Sequence, residues 1–186
     1  MNQDQIKQLN EAVEAVKTRK IENVYFVACG GSKAIFDPAQ FIFDRETTLP
    51  SFVYNANEFI HRCPKGLGEN SLVVTCSHSG NTLETTRATQ LAGDKGALTI
   101  SFSYRVDSPL WKATQHPISY VWGPESNPGD NNNGMLYRLV FSILNVLQPN
   151  EKYERAIKAC DNLGKVYEAN KAKFAESAKA FGKKYK

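Results

Sequence analysis

Two apolar runs, residues 24–28 and 72–76, each stop at a turn of glycine and hydroxyl residues and give way to a helical pattern. This order constrains the fold more than any other feature of the chain. A near-continuous apolar strand suits a parallel sheet covered on both faces. Parallel neighbours in turn need a long crossover between them, usually a helix.

The rest of the chain repeats that unit. Ile6, Leu9, Val13 and Val16 recur at intervals of three and four, which predicts an amphipathic helix over 2–18. Strands are expected at 23–28, 51–54, 71–76, 97–102 and 118–122. Helices are expected at 33–45 and 83–93, with a helical turn at 56–61. Ser108 before Pro109 marks a further helix start. After the polar loop 123–134, a helix should run from 135 to 147 and stop before Pro149. Residues 150–184 read as one long amphipathic helix, weakened at Gly164. Five strands separated by helices predict an α/β, doubly wound parallel sheet in the order 2-1-3-4-5, with right-handed crossovers. The expected domains are an N-terminal helix (1–22), a sheet domain (23–148) and a C-terminal helix (149–186).

Composition narrows the function classes. With 186 residues, 41% of them hydrophobic, the chain can bury one sizeable core. No apolar run approaches the roughly 20 residues that a membrane span needs. The N-terminus lacks the basic start and apolar core of a secretion signal, so a cytoplasmic location is expected. Cys29, Cys63, Cys76 and Cys160 form no Cys-x-x-Cys pair and point to neither a disulfide framework nor structural zinc. The net charge of +4 is local. Residues 151–186 hold nine lysines and one arginine against five acidic residues, leaving 1–150 close to neutral. No basic stripe for nucleic acid crosses the sheet domain.

The turn after residue 76 is Ser77-His78-Ser79-Gly80-Asn81-Thr82, and a helix opens at Leu83. The first N–H groups of a helix lack intrahelical partners and carry the positive end of its dipole. Hydroxyls of Ser77, Ser79 and Thr82 around those amides would make a neutral anion cup, with Gly80 removing a Cβ that would block a close oxygen. The bland alternative is a helix cap by Ser77 or Ser79. The turn is neither a Walker loop nor Gly-x-Gly-x-x-Gly. The earlier turn, Cys29-Gly30-Gly31-Ser32, lets the backbone approach a ligand, and Ser32 can either cap a helix or meet a ligand hydroxyl. In a doubly wound sheet both turns lie at the carboxyl ends of strands, where ligands bind.

These motifs, followed by Asp107-Ser108-Pro109-Leu110, resemble the sugar isomerase (SIS) domain over about residues 20–148. Val27-Ala28-Cys29-Gly30-Gly31-Ser32 and Asn55-Ala56-Asn57-Glu58-Phe59 bring the resemblance nearest to the fructosamine-6-phosphate deglycases. The isomerase half of glucosamine-6-phosphate synthase is more distant. The resemblance implies that Ser77, His78, Ser79, Gly80 and Thr82 hold a sugar phosphate, with Gly30, Gly31 and Ser32 beside the sugar. The apolar stripe of the 150–184 helix, Tyr153, Ile157, Leu163, Tyr167 and Phe174, predicts a homo-oligomer, and the absence of any cofactor motif predicts no cofactor. Asn81 stands where many members carry Glu. Deglycases of this type join two SIS domains and keep their catalytic Glu and His in the second, so this chain would correspond to the first.

Three residues are candidates for proton transfer. His78 offers either its ring as a base or only its backbone N–H. Glu58 and His61 lie three apart on one helical face, as a proton-transfer pair or as a surface pair. His116, at a strand start, is expected to have no chemical role. No metal cluster and no nucleophile–His–acid triad appears. The aromatic residues fall mostly at core periodicities, and no aromatic pair is expected beside the cup. That weighs against a flavodoxin-like nucleotide binder. Two other readings stay open: an aldose–ketose sugar-phosphate isomerase and a non-catalytic sugar-phosphate sensor.

Overall fold

Five parallel strands run through the middle of the molecule: β1 (Asn23–Ala28), β2 (Ser51–Asn55), β3 (Ser71–Cys76), β4 (Leu98–Ser103) and β5 (His116–Ser119). Their order is 2-1-3-4-5, as the alternation predicts. The structure is a computed structural model and describes residues 1–124 and 126–185. Around the sheet stand α1 (Gln3–Lys17), α2 (Gly30–Ala34), α3 (Phe36–Glu46), α4 (Ala56–Arg62), α5 (Leu83–Asp94), α6 (Pro109–Ala113), α7 (Asn132–Leu147) and α8 (Glu151–Lys184). No helix among the described residues is long and apolar enough to cross a membrane.

Alternation along β1 divides the core into two layers, since successive strand side chains point to opposite faces. Val24 and Phe26 face one layer, with Leu72, Val74, Ile100, Leu139 and Ile143. There the Phe26 ring meets Phe36 at 5.3 Å and Phe43 at 5.7 Å. Tyr25 and Val27 face the other layer, with Val73, Phe59, Ala88 and Ala92. Each large side chain buried this way contributes about 1.5–3 kcal/mol. β3 and β4 are buried at every position, which explains why no alternation shows in their sequences.

Several boundaries differ from the sequence expectations, each for a local reason. The helix expected at 33–45 is two helices, and the first opens at Gly30 itself. Gly30 has φ +54, a left-handed conformation that lets the chain turn out of β1 within one residue. The fifth strand lies at 116–119 rather than 118–122. β5 is an edge strand, where Pro117 can forgo a ladder donor. Beyond it the chain peels away, with the Val121 amide donating to the Asp130 carbonyl at 2.8 Å. α7 begins at Asn132 rather than 135, because the Asn131 side chain accepts the Gly134 amide at 2.9 Å and caps it. α8 is continuous through Gly164. A Cβ at Gly164 would stand 2.7 Å from the Asn127 side-chain oxygen, so this glycine admits the 127–130 loop against the helix.

β1 connects toward β2 on one side, while β3 lies on its other side. The turns after β1 and β3 therefore face each other across the crevice where the strand order reverses.

Candidate functional site

The turn after β3 is built to open a helix with its donors outward. Thr82 is the N-cap of α5 in extended conformation, yet its side chain makes no capping bond. Instead its hydroxyl lies 2.9 Å from that of Ser77. The first amides of α5, from Leu83 on, have no intrahelical acceptor. The Ser77 amide is spent on the Phe102 carbonyl at 3.1 Å, which pins the turn to the end of β4. Ser79 accepts the Asn81 amide at 3.2 Å, a local bond that rounds the turn. Neither Ser77 nor Ser79 caps α5.

Gly80 has a different reason from the one its sequence position implies. Its φ is +66, and a Cβ there would fall 2.0 Å from the Ser108 hydroxyl oxygen. The space is filled by the start of α6 rather than left open. Leu110 donates its amide to the Gly80 carbonyl at 3.0 Å, and Ser108 caps α6 by accepting the Trp111 amide at 3.3 Å. The third sequence motif is thus the buttress of the second.

Across the crevice, Cys29 is the N-cap of α2 without a side-chain bond, so Ser32 lies inside that helix and does not cap it. Nothing stands within 4 Å of the positions that a Cβ on Gly30 or Gly31 would take. The Cys76 thiol at the end of β3 is fully buried. Burial pushes that thiol up to about 12, so Cys76 is a neutral packing group at neutral pH. A cleft of about 400 Å³ at the same carboxyl end of the sheet joins this turn to the chain past β3 and β5, lined by Cys29, Gly31, Ser32, His78, Tyr120, Trp122 and Asn132.

His78 is exposed, and its ring joins an aromatic cluster that neither sequence reading anticipated. Its ring is half of a stack with Tyr104, centroids 5.4 Å apart and planes within 8°. Trp122 meets it edge-on at 4.8 Å. Its Nδ1 lies 2.9 Å from the Tyr120 hydroxyl. Burial raises the pKa of Tyr120, so the phenol keeps its proton and can donate to the imidazole. The expectation that no aromatic pair flanks the cup is therefore overturned. Tyr104, Tyr120 and Trp122 come from segments just past β4 and β5, where no core periodicity applies. The signal available in the sequence was their place beyond the carboxyl ends of strands.

Glu58 and His61 lie on α4, outside the residues that line the cleft. The Glu58 carboxylate accepts from Arg62 at 2.9 Å and not from His61, and both are exposed. The structure does not bring them together with His78. His116 sits at the amino end of β5, the opposite end of the sheet from the cup. Within the cleft lining, burial keeps the Tyr120 phenol protonated, as a hydrogen-bond donor to the His78 ring.

Comparison with known proteins gives this geometry a context. The family model for the SIS domain matches residues 17–147. The fructosamine deglycase FrlB of Bacillus subtilis is 46% identical over 178 residues, 95% of this chain and 54% of FrlB. The fructoselysine 6-phosphate deglycase of Escherichia coli is 34% identical over 108 residues, 58% of this chain and 32% of that protein. Among solved structures, a candidate phosphosugar isomerase from Bacillus subtilis has a TM-score of 0.86 at 45% identity, covering 96% of this chain and 55% of that one. The chain spans about half the length of FrlB and of that solved structure.

Proposed function

The chain belongs to the SIS domain family, and on that premise we propose that it is the phosphosugar-binding domain of a deglycase acting on fructosamine 6-phosphates. The observation that carries this reading is the α5 N-terminus, where open amides meet the paired Ser77 and Thr82 hydroxyls. A phosphate seated there gains several hydrogen bonds and a favourable dipole without any fixed cation. In the same reading Gly30, Gly31 and Ser32 face the sugar, and the His78 and Gly80 region completes the cup.

The reaction in this reading is hydrolysis of the C1–N bond. A proton moves from C1 to C2 as the ketosamine becomes a C1 imine, and water then adds to release glucose 6-phosphate and the free amine. Binding the remote phosphate orients the sugar for that proton transfer. In the same reading residues 23–148 are the binding domain, and α8 is its connector toward a second SIS domain. The acid and base that complete turnover belong, in this reading, to that second domain. The likeness to FrlB and to the E. coli deglycase supports the substrate class.

Saturation binding of fructose 6-phosphate to the wild type and to Ser77→Ala/Thr82→Ala tests the cup. Loss of two hydroxyl donors to a charged group should weaken binding by about tenfold or more. Equal affinity for both proteins would remove the phosphate assignment.

A further inference from the structure

The rings beside the cup remain unexplained by phosphate or sugar binding. Trp122 is 56% exposed and Tyr104 43% exposed, although both stand in a cluster with the His78 ring. Trp122 lines the cleft and Tyr104 backs its His78 wall, and large rings left in water bring no gain in folding. Their arrangement is nevertheless ordered. Tyr104 lies flat on His78, Tyr120 fixes the imidazole by its hydroxyl, and Trp122 closes the angle edge-on. His78, Tyr120 and Trp122 line the same cleft as Ser32 and Asn132. The polar groups of that cleft suit sugar hydroxyls. The ring faces suit something else.

We infer that the aromatic wall formed by Trp122, Tyr104 and His78 is a subsite for the nitrogen substituent on C1 of the sugar phosphate. The inference rests on the deglycase reading above and extends it to the part of the substrate that the cup leaves free. A secondary amine on C1 is protonated at neutral pH, and a cation over an indole or phenol face is held by the ring quadrupole. The aliphatic or aromatic group attached to that nitrogen gains from the same faces by contact and stacking. The wall therefore selects for N-substituted ketose phosphates over the free ketose phosphate. It discriminates little among amino-acid side chains, because ring faces carry no directional donors.

The test compares two ligands on three proteins: fructose 6-phosphate and a fructosamine 6-phosphate bearing a simple alkyl amine, on wild type, Trp122→Phe and Trp122→Leu. Trp111→Phe is introduced throughout, so that Trp122, the only other tryptophan of the chain, reports by its own emission. The wild type should prefer the amine-bearing ligand, with its Trp122 emission changing on saturation. Trp122→Leu should cut that preference by about fivefold or more, and Trp122→Phe should restore most of it.

Three results would overturn the inference. Equal weakening of both ligands in Trp122→Leu would make the wall a platform for the sugar ring. Trp122 emission that shifts with protein concentration alone would make it an interface between copies. A wild type with no preference would leave the amine unrecognised. Failure of the deglycase reading looks different, because fructose 6-phosphate would then fail to bind the wild type and would show no dependence on Ser77 and Thr82.

Discussion

At the scale of single residues, His116 and Gly80 carry separate consequences for stability. His116 is half-buried at the start of β5, and burial lowers its pKa, with Glu11 opposing the shift and Arg19 adding to it. The unfolded chain therefore takes up a proton near pH 6.5 while the folded chain resists it. Stability is unaffected above that pH and falls as pH drops below it. His116→Gln should flatten the decline in urea midpoint between about pH 6.5 and 5; an unchanged slope would place the acid sensitivity elsewhere. Gly80→Ala meets two penalties at once. A left-handed backbone costs a Cβ-bearing residue about 1–2 kcal/mol, and overlap with Ser108 costs about 1–3 kcal/mol more. Its Tm should fall by at least about 5 °C, with weaker fructose 6-phosphate binding, since Ser108 and Leu110 buttress the cup through this residue. A variant of normal stability would show that α6 yields freely.

At the scale of elements, α8 is tied down along its first half, where Arg138 of α7 donates to Asp161 at 2.9 Å. Lys152 and Tyr153 both meet the Glu46 carboxylate of α3, and Gly164 lies against Asn127. Asn127 cannot readily yield, because its side chain accepts from the Gly129 amide at 2.8 Å and donates to Asp130 at 2.9 Å. Gly164→Ala should therefore lose about 1 kcal/mol, even though alanine gains about that much in helix propensity. Gly182→Ala, with nothing within 4 Å of the added methyl, should hold or raise helicity. Thermal melts with far-UV circular dichroism compare the two, and a stabilised Gly164→Ala would show that the loop is loosely packed. Most elements of this fold were legible in the sequence because period and turn chemistry agree at 23–28, 71–76 and 83–94. What escaped was tertiary. Gly80 reads as a clearing for a ligand until Ser108 is seen to fill the space. The ring cluster around His78 joins residues 26 to 44 positions apart, which no local pattern encodes.

At the scale of the whole molecule, the layers around the sheet and the far half of α8 are different materials. From residue 171 to 185 every position is exposed, including Phe174 and Phe181. Deleting residues 171–186 should move the Tm of the sheet domain by less than about 2 °C, because little apolar surface there is buried. The same stripe should drive self-association. Sedimentation of Phe174→Glu/Phe181→Glu beside the wild type would show a weaker concentration dependence, and no difference would clear the stripe of that role. The geometry of α8 also governs how the molecule turns in water. Thirty-four residues of helix extend about 51 Å, against a radius of gyration near 16 Å for a compact chain of this length. Such a particle drags more about its short axes than its long one, so a single rotational correlation time cannot describe it. Amide bonds along α8 lie close to the long axis and should relax in solution like those of a heavier protein. Amides set across that axis should relax like those of a lighter one.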